Sequence, residues 1–138
     1  MKITIITTII VLILAGCQSI ETPSKIPDIH TAQISVDWNG TYYGEIPSAS
    51  GSGIIVRITL TQDETYELQY HYIDRPENFY QVSGPFTWHP DGTTITLEGL
   101  ENYPKYYWVS SGYIIQLDMR GRRITGNLAD KYILRKEF

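Results

Sequence analysis

The chain has 138 residues, enough for one domain and too few for two ordinary ones. Hydrophobic residues make up 42% and charged residues 19%, a globular rather than a disordered composition. With 11 Lys and Arg against 15 Asp and Glu, it lacks the basic character that nucleic-acid binding needs. No Lys/Arg run offers electrostatic docking on anionic lipid either. Tyrosine is the unusual residue, 11 against 3 Phe and 3 Trp, which favours strands and half-buried rings with wet hydroxyls.

Met1-Lys2 is a positive start, and Ile3 to Leu14 is an apolar run in which threonine is the only polar residue. The run is shorter than the roughly 20 residues that span a bilayer and has the length of a signal-peptide core. Leu14-Ala15-Gly16-Cys17 follows, and resembles the lipobox of bacterial lipoproteins residue for residue. The expectation is a signal peptide over residues 1–16, cleavage before Cys17, and a diacylglycerol and palmitate anchor on that thiol. Losing Lys2 takes the net charge from −4 to −5. Cys17 is the single cysteine, so its acylation leaves no thiol for a disulfide, a metal or a nucleophile. Two or more acyl chains make a stable anchor. Gln18, where an aspartate usually marks inner-membrane retention in Gram-negative lipoproteins, implies by that resemblance the outer membrane, facing the periplasm.

Residues 17–37 read as the lipidated cysteine and a flexible linker, because Pro23 and Pro27 break any helix and no apolar period is sustained. His30 is a solvated residue within it. The domain proper is expected over 38–138. From Trp38 the period becomes two: Trp38, Gly40, Tyr42, Gly44 and Ile46, then Ile54, Val56, Ile58 and Leu60, then Tyr66, Leu68, Tyr70 and Tyr72. Gln62-Asp63-Glu64 turns the second strand into the third. Phe79 to Trp88 reads as a strand interrupted near Gly84-Pro85, which predicts an edge or a bulge. Pro90-Asp91-Gly92 is a turn, followed by Ile95 and Leu97, a short aromatic strand over Tyr106 to Val109, and the turn Ser110-Ser111-Gly112. Tyr113, Ile115 and Leu117 continue the alternation, Asp118 to Gly121 forms a type I turn, and Ile124 and Lys131 to Lys136 close the chain. About eight short strands without an amphipathic helix predict an all-β sandwich or small barrel, and a meandering antiparallel barrel is favoured because closure removes the exposed edges.

No catalytic constellation emerges. The serines crowd into turns and no GxSxG is present. His71 falls on the polar face of its strand and His89 at a turn, and Glu64, Glu67, Asp74, Asp91 and Asp118 lie singly. No metal site or cofactor is expected, Met119 being the one soft ligand left in the mature chain. Ser48 to Gly53 is glycine-rich but precedes a strand, which does not suit phosphate. Two aromatic groups have open readings. Tyr42, Tyr66, Tyr70 and Tyr132 either pack the barrel interior or line a pocket for a small apolar ligand. Tyr103, Tyr106, Tyr107 and Trp108 form either a docking patch for a protein partner or a strand covering the barrel mouth.

The segment from Trp38 to Pro47, with Gly53-Ile54 and the strand to Leu60, resembles the N-terminal domain of NlpE-type, or copper-homeostasis, lipoproteins. Leu117-Asp118, Gly121, Ile124, Gly126, Leu128, Tyr132 and Leu134 are similar to that family's closing pattern. The resemblance implies a lipocalin-like barrel on an outer-membrane lipoprotein linked to envelope-stress signalling, surface sensing and copper tolerance. Ser48 and Gly51 occupy the positions of the family's CxxC, so thiol-based copper or redox sensing is not implied here, and the second barrel-like domain of longer members is not expected. A non-enzymatic envelope protein working through protein contacts is the leading expectation. A carrier or sensor holding a small apolar ligand or a metal in the barrel is the alternative.

Overall fold

The computed structural model describes residues 31–49 and 51–138, so the expected signal peptide over 1–16, Cys17, Gln18 and His30 lie outside the described residues. A short helix α1 (Ala32–Ser35) precedes the strands β1 (Gly40–Ile46), β2 (Ile54–Leu60), β3 (Thr65–Tyr72), β4 (Phe79–Trp88), β5 (Thr94–Leu97), β6 (Tyr106–Ser110), β7 (Tyr113–Gln116) and β8 (Ile133–Lys136). Each strand pairs antiparallel with the next, and β8 returns to β1, so the sheet is a closed barrel in sequence order. A 3-10 turn, Ala129–Tyr132, leads into β8. Among the described residues no helix is long and apolar enough to cross a membrane.

The alternation explains the inside of the barrel. Tyr42 and Ile46 on β1, Val56, Ile58 and Leu60 on β2, and Tyr66, Leu68 and Tyr70 on β3 are all buried, and their neighbours face outward. Phe86, Ile95, Leu97, Tyr107, Val109, Ile114 and Leu134 complete the same cluster from the other strands. Closure occurs at β1 and β8, where Tyr42 opposes Lys136 and Tyr43 opposes Arg135. The strands approach closely there: a Cβ on Gly44 would meet Ile133 O at 3.0 Å and Leu134 Cα at 3.2 Å.

The two ends of the barrel differ. One is plugged by residues 31–38. Ala32 is buried in the core, Gln33 N donates to Gly92 O at 3.0 Å, and the Trp38 ring meets Phe86 and Trp88 edge-on at 5.7 and 5.4 Å. Gly92 sits at φ 61°, in the Pro90-Asp91-Gly92 turn, and a side chain there would collide with Thr31. The expected flexible linker therefore gives way at Thr31 to chain that packs on the barrel, because Ala32 has a small apolar side chain and the Trp38–Phe86–Trp88 cluster needs a cover. β1 runs from this plugged end to the other, which is open and framed by Pro47, Tyr72, Tyr103 and Tyr132.

Three details depart from the sequence reading. β4 is continuous through Gly84-Pro85 and is not bulged there: it hands over from β3, which pairs up to Pro85, to β5, which pairs from Phe86, so each half is paired on one side only, as the expected edge would be. β7 has the opposite phase: Ile114 and Gln116 face the interior, whereas Tyr113 and Ile115 face out. Ile124 lies in the long β7–β8 connection, outside any strand.

Candidate functional site

The structure separates the first group of tyrosines. Tyr42 and Tyr66 are wholly inside, and each hydroxyl is spent on a backbone carbonyl: Tyr42 Oη donates to Trp38 O and Tyr66 Oη to Glu98 O, both at 2.6 Å. They are interior packing. Tyr70 and Tyr132 reach the open end instead. There they line a cavity of about 330 Å³ with Tyr72, Tyr103, Gln116 and Asn102 over an apolar rim that includes Ile46, Ile54 and Pro47.

Stacked phenol rings build one wall of this mouth. Tyr103, in the β5–β6 loop, stacks on Tyr80 at 4.5 Å and on Tyr70 at 5.4 Å. The floor is polar. Tyr107 Oη lies 3.5 Å from Tyr70 Oη and donates to Gln116 Oε1 at 3.4 Å. Gln116 is only 3% exposed, and its amide Nε2 has no hydrogen-bond partner among the described residues. Burial pushes the Tyr70 phenol up to about 12 and Tyr107 well above its ordinary value. Both are neutral donors at pH 7, and no charged side chain lines the cavity.

The second aromatic group does not form one patch. Tyr107 is a core residue, Tyr103 belongs to the mouth, and Tyr106 and Trp108 face outward on β6. Strand alternation sends neighbouring residues to opposite faces, so a run such as Tyr106-Tyr107-Trp108 cannot present all its rings on one surface. Trp108 instead joins an outer band that runs across the strands. Arg57 opposes Tyr43, Tyr43 opposes Arg135, Arg135 opposes Tyr113, and the Tyr113 ring lies 6.3 Å from that of Trp108. Guanidinium groups lie over both ends of the band: Arg57 over the Tyr43 ring at 5.8 Å and Arg123 over Trp108 at 4.3 Å. Arg57 pairs with Glu137 at 3.1 Å, whereas Arg135 and Arg123 have no ion-pair partner among the described residues.

The charge is uneven along the chain, and four of the six band residues, Trp108, Tyr113, Arg123 and Arg135, belong to its basic C-terminal part. Residues 31–101 carry ten Asp and Glu against Arg57 and Arg75. Residues 102–138 carry seven Lys and Arg against Asp118, Asp130 and Glu137. Elsewhere the expected single residues stay single. His71 is on the outer face beside Phe79, His89 bonds Thr96 Oγ1, Asp91 caps Thr93 and Thr94, Asp118 holds Arg120 and Arg122, and Met119 is exposed in its turn. Among the described residues no three His, Cys, Asp or Glu side chains come together.

Sequence reasoning missed Gln116, Tyr72 and Asn102 at the mouth, and Tyr43, Arg57, Tyr113, Arg123 and Arg135 in the band. Gln116 gave no signal, because the alternation of Tyr113, Ile115 and Leu117 put it on the outer face of its strand. The band had none, since only register brings it together.

An up-and-down eight-stranded barrel, plugged at one end and open at a tyrosine-lined mouth, defines a lipocalin-like barrel domain. The family described as the NlpE N-terminal domain matches residues 42–127. A crystal structure of a candidate lipoprotein from Shewanella oneidensis is 39% identical, with a TM-score of 0.71 over 78% of this chain and 96% of that one. The crystal structure of the Cpx pathway activator NlpE from Escherichia coli shares the fold at 20% identity and a TM-score of 0.52, over 64% of this chain and 46% of that one. Curated protein sequences give no match. The chain belongs to the NlpE N-terminal domain family and is an NlpE-like, envelope-associated protein.

Proposed function

We propose that this chain is a lipid-anchored protein of the outer membrane, facing the periplasm, that acts in envelope stress sensing or copper tolerance by contact with another envelope protein and catalyses no reaction. The observation that carries the contact is the outward band of Arg57, Tyr43, Arg135, Tyr113, Trp108 and Arg123. Arg, Tyr and Trp are the residue types that dominate binding hot spots, and unpaired guanidinium groups beside aromatic faces suit an acidic segment of a partner. The anchor rests on Cys17 and its lipobox, and Cys17→Ala should move the protein from the membrane to the soluble fraction.

The test is an envelope-stress reporter in cells overproducing the full chain. The double charge reversal Arg123→Glu with Arg135→Glu leaves the barrel interior untouched. It should lower the reporter response about 10-fold or more at equal protein level, since desolvated charge pairs are worth several kcal/mol. An unchanged response would remove the band from the mechanism.

A second reading is favoured by the mouth: a carrier or sensor for a small molecule. A cavity of about 330 Å³ with convergent tyrosines and a buried glutamine on its floor has the form of a ligand site.

A further inference from the structure

Gln116 is the anomaly of the barrel interior. It is 3% exposed, at the end of β7, on the inward face it shares with Ile114. Burying an amide costs free energy unless its donors and acceptor are satisfied. Oε1 meets that need by accepting from Tyr107 Oη at 3.4 Å, whereas Nε2 has no protein partner among the described residues and is not sealed inside, the fully buried unpartnered side-chain atoms being Thr31 Oγ1 and Trp88 Nε1. Gln116 lines the mouth cavity, and with Oε1 turned to Tyr107 its unsealed Nε2 is the polar atom left for that space. Around it stand Tyr70, Tyr72, Tyr103 and Tyr132, with Ile46 and Ile54 at the rim, and no cation or carboxylate.

We propose that the mouth binds a small, flat, uncharged molecule carrying one hydrogen-bond acceptor, such as a carbonyl oxygen, which Gln116 Nε2 receives while the tyrosine rings stack on the apolar body. The inference rests on the carrier reading above and narrows its ligand to one chemical class. A charged ligand is excluded by the lining, since its charge would lose water and meet no counter-charge. A large one is excluded by the cavity, which lies at the small end of the roughly 300–1,000 Å³ typical of ligand sites. The stacked wall of Tyr103 on Tyr80 and Tyr70 supplies preformed aromatic faces.

Three matched probes test this by equilibrium dialysis against the mature chain from residue 17, produced without its lipid: 2-acetonaphthone, 2-ethylnaphthalene and 2-naphthoate. The ketone should bind one per chain and about 3- to 10-fold more tightly than the ethyl compound, the usual worth of one hydrogen bond. The carboxylate should bind more weakly than either. Gln116→Leu should erase the difference between ketone and ethyl compound without loss of fold, because leucine suits the apolar face it would join. Tyr103→Ala, which changes only the mouth wall, should weaken all binding. If ketone and ethyl compound bind equally to the unaltered chain and Tyr103→Ala weakens both, the mouth is a ligand site and the acceptor inference falls. If none of the probes binds, both the inference and the carrier reading fall. Tight binding of the carboxylate, or a preference for the ketone that survives Gln116→Leu, also overturns the inference.

Discussion

The hydroxyl of Tyr66 shows how one residue is fixed by two others. Glu98 N donates across to Pro85 O at 2.9 Å, and the return bond cannot form because proline has no N–H. The Glu98 carbonyl takes the Tyr66 hydroxyl instead, at 2.6 Å. Gly84 leaves room for it: a Cβ there would meet Tyr66 Cε1 at 3.4 Å and Glu98 O at 3.3 Å. Gly84-Pro85 looks like a strand breaker in sequence and is a socket for a tyrosine in three dimensions. Tyr66→Phe strands that carbonyl and should lower stability by about 1–2 kcal/mol with an unchanged dependence on urea, measured by equilibrium unfolding. A loss within error of zero would mean that water replaces the phenol.

Among the strands, the seam between β1 and β8 depends on a single missing side chain. Gly44 allows Ile133 and Leu134 to come within 3.0–3.2 Å of where its Cβ would be, and two of those contacts are backbone atoms that cannot swing away. Gly44→Ala should therefore cost about 1–3 kcal/mol despite adding strand propensity, and hydrogen exchange should rise first on β8. Strands β1 to β3 were legible in the sequence because every inward residue from Tyr42 to Tyr70 is apolar and their outward neighbours are mostly polar. β7 was not, and the reason is physical. Its polar Gln116 faces the mouth and its apolar Tyr113 and Ile115 face the outer band, so polarity and burial disagree along this strand. The same conflict hid the site. Tyr106-Tyr107-Trp108 reads as one cluster along the chain and is divided between the inside and the outside by the pleat. Sequence patterns fail where a fold departs from inside-apolar logic, and such departures concentrate where binding is done.

At the scale of the whole molecule, the buried phenols set an alkaline limit. Tyr42 and Tyr70 are pushed up to about 12, chiefly by burial, and burial also raises Tyr107 well above its ordinary value. An acid whose folded value is raised contributes stability that is complete below its unfolded value of 10 and is lost as pH climbs from there through the folded value. The barrel should therefore unfold cooperatively between about pH 10 and 12, with the last phenolate absorbance appearing together with the loss of far-ultraviolet circular dichroism. Phenolate absorbance that reaches completion before the dichroism changes would contradict the burial of these rings.

The order of the ring also carries a meaning in time. Seven of the eight strand pairings join neighbours in sequence, and one, Tyr42 to Lys136, joins the two extremes of the sheet. The neighbouring hairpins can form as fast local events. The last pairing must close a loop that contains nearly the whole domain, at an entropic cost on the order of 4 kcal/mol. Until that event the partly assembled sheet has two open edges, β1 and the latest strand added, and each is a template for the wrong partner. The period between the first hairpin and the arrival of β8 is when this protein is most exposed to aggregation.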